Sequence, residues 1–427
     1  MPSSPLDAGP AGLGAFISAS PSPYHVVATV AEALESLGAT RVRASDPWPR
    51  SPGVHVLVEG GALVAWSTLG GRDPLEGFRI IGAHTDSPNL RLRPRPDRTR
   101  AGFAQLGVEV YGSALLNSWL DRDLGLSGRV MVRTSEGPRE VLLHVDEPLL
   151  RVPQLAIHLD RRVNEGLVLD PQEHLVPVWG SEGMAPFVAW CAERIGVPAD
   201  AVLAFDVMAH DLTPPAVLGA DDALFAAARL DDQVSCHAGL LALAGALDGD
   251  GAVPVLALFD HEEVGSTSAT GAAGPLLRTV LEGIVAGVAD DPEALRRALA
   301  RSIAISADGA HALHPNYPGR HEPGHAPIIG RGPVLKHNAN VRYATDAPGA
   351  AHITALAEDL GIGLQSFVTR GDLPCGSTIG PTTAASLGIT TVDLGVPQLS
   401  MHSARELCAV ADLEPFAQLL TGFLRTP

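Results

Sequence analysis

Lysine is almost missing from this chain: Lys336 is the only one in 427 residues, and arginine supplies every other long basic side chain. Positive charge is scarce altogether, with 30 Lys and Arg against 48 Asp and Glu and a formal net charge of -18. A phosphate binder needs a basic face, so nucleic acid is excluded as a partner. Cysteine is rare too. Cys191, Cys236, Cys375 and Cys408 are widely separated and show no paired metal spacing, which excludes a disulfide framework and a zinc ribbon and points to a reducing compartment. No apolar run approaches the roughly 20 residues that cross a bilayer. The segment Met1-Pro2-Ser3-Ser4-Pro5 lacks the basic region and apolar core of a secretion signal. A soluble, cytoplasmic protein with no membrane partner is expected, and neither an internal repeat nor a low-complexity tract is present.

What the chain does have is apolar content, 46% of its residues, enough for a sizeable core and for two domains. Periodicity predicts a helix over 26–37 and strands over 54–58, 62–67 and 78–83. From about 96 to 224, Arg and Pro punctuate short β-prone runs (107–111, 129–132, 141–145), the texture of an inserted, strand-rich domain. After 225, helix-sized apolar segments (236–247, 292–300) alternate with strands (253–259, 302–306, 364–368, 389–394), which predicts an α/β sheet layered by helices. The Pro- and Gly-rich stretch 314–332 is a long loop, and long loops in compact domains are often functional.

Acids and histidines recur at one address, the end of an apolar strand. His84 follows Ile80-Ile81-Gly82-Ala83, Glu262 and Glu263 follow Phe259-Asp260-His261, Asp308 follows Ser302 to Ser306, and His402 comes soon after Thr390 to Leu394. Open α/β sheets build their sites at that edge. Taken alone, Asp260-His261-Glu262-Glu263 also reads as a solvated acidic turn, Asp231 as the cap of the helix that follows it, and Asp86 as a turn residue before Pro88. Together, two histidines and three carboxylates suit a pair of zinc-like metals that hold a hydroxide and polarise an amide carbonyl. One of the two glutamates would ligate while the other takes a proton from water. Asp86, two residues past His84, would accept the other ring proton of that histidine.

His84-Thr85-Asp86-Ser87-Pro88, Asp121-Arg122-Asp123-Leu124, Arg229-Leu230-Asp231, Asp260 to Ser266, Cys375 to Pro381 and Pro397 to Ser403, six strings in order, resemble the aspartyl aminopeptidase family of metallopeptidases. The resemblance runs over nearly the whole chain from Ser20 onward. It implies a three-layer α/β, zinc-exopeptidase-like catalytic domain with a central mixed sheet (1–95 and 225–427) and an inserted β-rich dimerisation domain (96–224). It further implies two zinc ions per subunit, one position exchangeable with manganese or cobalt: His84 and Asp308 on one, Glu263 and His402 on the other, Asp231 bridging, and Glu262 as general base. Dimers would assemble into a homododecamer, with His158 reaching a neighbouring subunit's active site. Asp232 departs from the pattern, standing where relatives often carry Asn, and either competes as a ligand or sits at the helix start. Gln154 and Gly309 are further departures.

The lone lysine gains meaning in this setting. A compact ammonium suits a single carboxylate at the bottom of a narrow pocket, and the resemblance implies that Lys336 and Tyr343 bind the acidic side chain of the substrate. Salt screens the chain's own negative field beyond about 8 to 10 Å, so recognition of an acidic residue must be local. The loop histidines His311, His314, His321, His325 and His337 are expected to bond backbone or water, and Cys375 has no motif-level base partner. The expected activity is removal of N-terminal Asp or Glu from peptides. A neutral-residue aminopeptidase, a small-amide deacylase and a non-catalytic peptide-binding scaffold are the alternatives.

Overall fold

Val253–Phe259 is a strand over its whole apolar run, and its pairing explains why the chemistry collects at one edge. In the computed structural model, which describes residues 4–426, a nine-stranded sheet runs in the order Thr40–Val42, Val54–Glu59, Ala62–Ser67, Val253–Phe259, Phe78–His84, Ile303–Ala307, Thr390–Gly395, Val334–His337, Gln365–Val368. The four strands from Val253–Phe259 to Thr390–Gly395 are parallel, and antiparallel neighbours on either side make the sheet mixed. The register sets Phe259 opposite His84, and Ser306 opposite both Gly82 and Asp393. Residues just past Phe259, His84 and Ala307 therefore emerge side by side.

Side chains alternate across a strand, and the alternation divides this sheet between two cores. Ile81, Ala83, Leu256, Leu258 and Ile305 face the helices Pro23–Ser36, Leu230–Ala244 and Val410–Leu424. Phe78, Ile80, Val255, Ala257 and Ala304 face Leu276–Ala286, Ala294–Leu299 and Ile379–Leu387. Each fully buried Val, Leu, Ile or Phe contributes about 1.5 to 3 kcal/mol, so the central strands are anchored from both sides. The first of these helices begins at Pro23, three residues before the expected 26, because Ser22 and Pro23 form a favourable helix entry in which the missing proline N–H has no partner to lose. A five-stranded sheet (Ala216–Leu218, Leu224–Ala227, Glu406–Ala409, Pro397–Leu399, Ala310–His311) completes this larger unit.

The chain divides into two compact units. The larger comprises the chain up to Asp86, Pro215–Met401 and the chain from Glu406; the smaller comprises Ser87–Pro214 and His402–Arg405. Compared with the expected 96–224, the smaller unit begins earlier because Asn89–Arg100 is one ribbon with Phe103–Tyr111. It ends earlier because Ala216–Leu218 pairs with Leu224–Ala227 in the larger unit. Its own sheet is six-stranded and antiparallel, in the order Val178–Ser181, Phe103–Tyr111, Asn89–Arg100, Val202–Asp211, Leu124–Thr134, Gly137–Leu150. One face packs Leu106, Val130, Val145 and Val207 with Phe187 of the helix Phe187–Ile195. Among the described residues no helix is long and apolar enough to cross a membrane, and the four cysteines are free thiols.

Candidate active site

The parallel register brings His84, Glu262, Glu263 and Asp308 to one edge of the larger unit, and the start of the Leu230–Ala244 helix adds Asp231 and Asp232. Asp231 and Asp232 depart from helical backbone angles at the start of this helix. Ligand atoms of His84, Asp231, Asp232 and Asp308 lie within 4.8 Å of one another, as do those of His84, Glu262 and Glu263. His84 Nε2 stands 3.2 Å from Asp231 Oδ1. All four members of the first cluster are buried.

His84 is oriented by its other nitrogen: Nδ1–H donates to the backbone carbonyl of Asp86 at 2.9 Å, which fixes Nε2 as the nitrogen with a lone pair. The Asp86 carboxylate, expected to take that proton, lies 3.6 Å from Nδ1. Its Oδ1 accepts from Glu262 N–H at 3.0 Å and its Oδ2 from Glu263 N–H at 3.1 Å. The side chain of Asp86 thus fixes the turn that carries both glutamates, and the reason lies in the short 3-10 turn Glu262–Val264, whose leading amides have no helical partner.

Three further contacts around this cluster come from residues whose partners the sequence does not specify. Glu406, buried, accepts from Asp231 N–H at 2.9 Å. Asp232 Oδ2 accepts from His84 N–H at 3.1 Å. The Cys236 thiol, on the helix that follows, donates to the His84 carbonyl at 3.0 Å.

So many acids in one buried place raise each other's proton affinity. Burial raises Asp232, with Asp308 and Asp231 adding to it against the pull of His84. Burial likewise raises Asp308 despite Lys336. Glu262 is pushed up to about 8 by burial, reinforced by Asp308, Asp231 and Asp86 and opposed by His84. For His84, burial works against its charge, yet the field of Asp232 and the bonds to Asp231 and Asp86 outweigh it and hold the imidazole high. Buried carboxylates with one neighbouring imidazole form a nitrogen and oxygen donor set that fits zinc, and a dication is what offsets their mutual repulsion.

The other expected residues are placed as follows. Lys336 is 1% exposed. Its Nζ donates to the carbonyls of Asp308 and Gly309 at 3.0 Å each, lies 3.4 Å from Asp308 Oδ1, and sits 5.2 Å from the centre of the Tyr343 ring. Its ammonium is thus directed at the turn that holds Asp308. Tyr343 is buried, and burial, with Cys375 beside it, raises its hydroxyl. In the smaller unit, His158 is exposed and His402 Nδ1–H donates to the Ser113 carbonyl at 3.0 Å, leaving the lone pair on Nε2. The loop histidines make local contacts, such as His311 edge-on to Phe367 and His314 against Tyr317.

A parallel α/β core with acids and a histidine at its C-terminal edge is the framework of a metal-dependent hydrolase. Residues 16–424 match the family described as aminopeptidase I zinc metalloprotease (M18). The chain is 50% identical over 419 residues to a probable M18 family aminopeptidase 2 of Streptomyces avermitilis, covering 96% of each, and 51% identical over 424 residues to that of Mycobacterium tuberculosis, covering 97% of each. Among solved structures it is similar to one of an Ape4 and Nbr1 complex (TM-score 0.93, 35% identity, 97% of this chain and 84% of the other) and to one of an mApe1 dodecamer of S. cerevisiae (0.85, 28%, 96% and 95%). The chain belongs to the M18 family, in which the aspartyl aminopeptidases are placed, and is a zinc metallo-aminopeptidase.

Proposed function

We propose that this aminopeptidase removes N-terminal Asp and Glu from peptides with two zinc ions per subunit, one position accepting manganese or cobalt. The observation that carries the reading is the cluster of His84, Asp231, Asp308, Glu262 and Glu263 at one sheet edge. His84 and Asp308 would hold one ion and Glu263 and His402 the other, with Asp231 shared between them. Asp232 stays in the surround, occupied with His84 N–H. When bound, zinc supplies Lewis acidity toward the amide carbonyl and makes a water easier to deprotonate. Glu262, beside His84 at this edge, would take a proton from the attacking water and pass it to the leaving amine. Asp86 positions Glu262 and Glu263 through their amides.

Selection of an acidic residue rests on Lys336, with Tyr343 beside it and His158 supplied by a neighbouring subunit. The three donors of Lys336 are engaged by Asp308 and Gly309, so a substrate carboxylate either displaces one or profits from the charge across a short distance. Assembly into a homododecamer through dimers is supported by the segment around His158, where Leu159 is 76% and Val168 86% exposed. Apolar side chains so exposed in one segment mark a protein contact.

The deciding experiment measures release of Asp, Glu and Leu from matched short peptides by the zinc-loaded protein. Preference for Asp and Glu supports the whole reading. Preference for Leu retains the hydrolase and removes the acidic pocket, and release of none overturns both.

A further inference from the structure

The smaller unit carries a second constellation of metal-ligating side chains. His144 and Asp146 lie on the edge strand Gly137–Leu150, and His210 lies on Val202–Asp211, with Leu124–Thr134 running between them. Ser127 pairs with His144 and Gly125 with His210. By the two-residue alternation of a strand, these side chains share one face, while Leu126, Leu143, Val145 and Ala209 turn the other way into the apolar core.

Gly125 is what lets the two strands meet across the one between them. A Cβ there would stand 2.8 Å from His210 Nε2, so the imidazole occupies the room that a side chain would fill. Both rings then converge on one oxygen: Asp146 Oδ1 is 3.0 Å from His144 Nε2 and 3.1 Å from His210 Nε2. The rings are edge to face with centroids 5.7 Å apart. His210 and Ser127 are buried, 3% and 0% exposed, whereas Asp146 opens to solvent. Ser127 Oγ lies 3.0 Å from His210 Nδ1.

We propose that His144, Asp146 and His210 form a divalent transition-metal site, separate from the catalytic cluster and fit for zinc. Tetrahedral zinc with bonds of about 2.0 to 2.1 Å spaces its ligands about 3.3 Å apart; the two nitrogen–oxygen separations of 3.0 and 3.1 Å are close to that spacing, and all three ligand atoms lie within 4.8 Å of one another. Two imidazoles and one carboxylate leave the fourth position to water on the solvent side. Without metal, ring N–H groups face Asp146 and the Ser127 hydroxyl donates to His210 Nδ1. On binding, the single ring proton of neutral His210 shifts from Nε2 to Nδ1 by exchange with solvent, which frees the Nε2 lone pair with no net loss from the ring, and Ser127 changes from donor to acceptor, which a hydroxyl does without moving its oxygen. The ion would add a metal link between the edge strand Gly137–Leu150 and Val202–Asp211, beside the contact of His210 with Asp146.

The test counts zinc by equilibrium dialysis and elemental analysis on the full-length, metal-stripped protein, comparing wild type with His144→Ala and Asp146→Asn. Each variant is expected to bind one ion fewer per chain at an unchanged rate of aminopeptidase turnover. The same pair of substitutions in a His84→Ala background, where the catalytic cluster is crippled, is expected to remove one remaining ion, so the result does not depend on how many ions the active site holds. Cobalt absorption provides a readout independent of count: the visible bands of a four-coordinate nitrogen and oxygen site are expected to weaken in both variants. Equal stoichiometry and equal cobalt spectra in wild type and variants overturn the proposal and leave the three residues as a hydrogen-bonded cluster.

Discussion

Replacing Lys336 with methionine separates the two things a buried ammonium can do here. Methionine nearly conserves the volume, so no large cavity forms, and the change removes a charge and three donors. Two carbonyls, those of Asp308 and Gly309, lose their 3.0 Å partner, and an unsatisfied buried acceptor costs about 1 to 3 kcal/mol. Asp308 loses its counter-charge at 3.4 Å, and breaking a buried pair costs about 3 to 5 kcal/mol. These costs overlap, because Asp308, already raised by burial, can protonate once the ammonium is gone. A loss of about 3 to 5 kcal/mol is therefore expected in the metal-stripped protein, read as a drop in the urea midpoint. In the zinc-loaded protein the ion takes over the neutralisation of Asp308, leaving mainly the carbonyl cost of about 2 kcal/mol. Zinc is thus expected to stabilise the variant more than the wild type. The ratio of Asp to Leu release is expected to fall at the same time. An unchanged urea midpoint in the stripped variant refutes the pairing argument, and an unchanged Asp/Leu ratio refutes the role in selection.

Glu262→Gln keeps the shape and loses the proton shuttle; turnover on an Asp peptide is expected to fall about a hundredfold to ten-thousandfold with zinc content retained, and a loss of only a few-fold would remove Glu262 from the role of base. Loading zinc into the stripped site is expected to release protons, since Glu262, pushed up to about 8 by burial, holds a proton below that pH which a dication displaces. The release grows as pH falls from 8 toward 6, and calorimetric heats that do not change with the ionisation enthalpy of the buffer would contradict it. Gly395→Ala would place a Cβ 1.7 Å from the Asp308 carbonyl oxygen, forcing apart a strand and the turn joined by Asp308 N–H to Leu394 O at 3.0 Å. At least the 1 to 3 kcal/mol of an overpacked site is expected, together with loss of zinc retention, so full zinc content at the wild-type urea midpoint would count against this account of the turn.

Local pattern reached as far as the strand ends. Val253–Phe259 was legible because apolar residues fill it from Gly251 to the acidic turn, and the address of His84, Glu262 and Asp308 followed from strands that stop where they do. Interactions set by distant chain segments were not legible. Nothing near Asp86 says that its carboxylate will meet two amides 176 and 177 residues away. Nothing in Glu406-Leu407-Cys408 marks the first residue as the partner of Asp231 N–H. Lys336 was noticed for its rarity, while its burial against Asp308 follows from the pairing of Val334–His337 with Thr390–Gly395. The same holds for His144 and His210, which only strand order brings together.

The discontinuity of the two units has a consequence for the newborn chain. The polypeptide leaves the larger unit at Asp86, returns at Pro215, leaves again for four residues at His402 and returns at Glu406. The helix Val410–Leu424, made after all of these crossings, supplies Phe416, Leu419, Leu420 and Phe423 to the core against which Ile81, Ala83 and Leu258 pack. A ribosome that has already produced His84, Asp231, Glu263 and Asp308 has therefore still to deliver the layer that holds their strands in place. At about 5 to 20 residues per second, the stretch from Asp308 to Leu424 alone takes about 6 to 23 seconds, so these side chains spend at least that long on an unfinished scaffold. The smaller unit, nearly continuous from Ser87 to Pro214, is free to fold first, so its sheet is expected to form during translation and the strand-edge cluster of the larger unit only after Val410–Leu424 has been made.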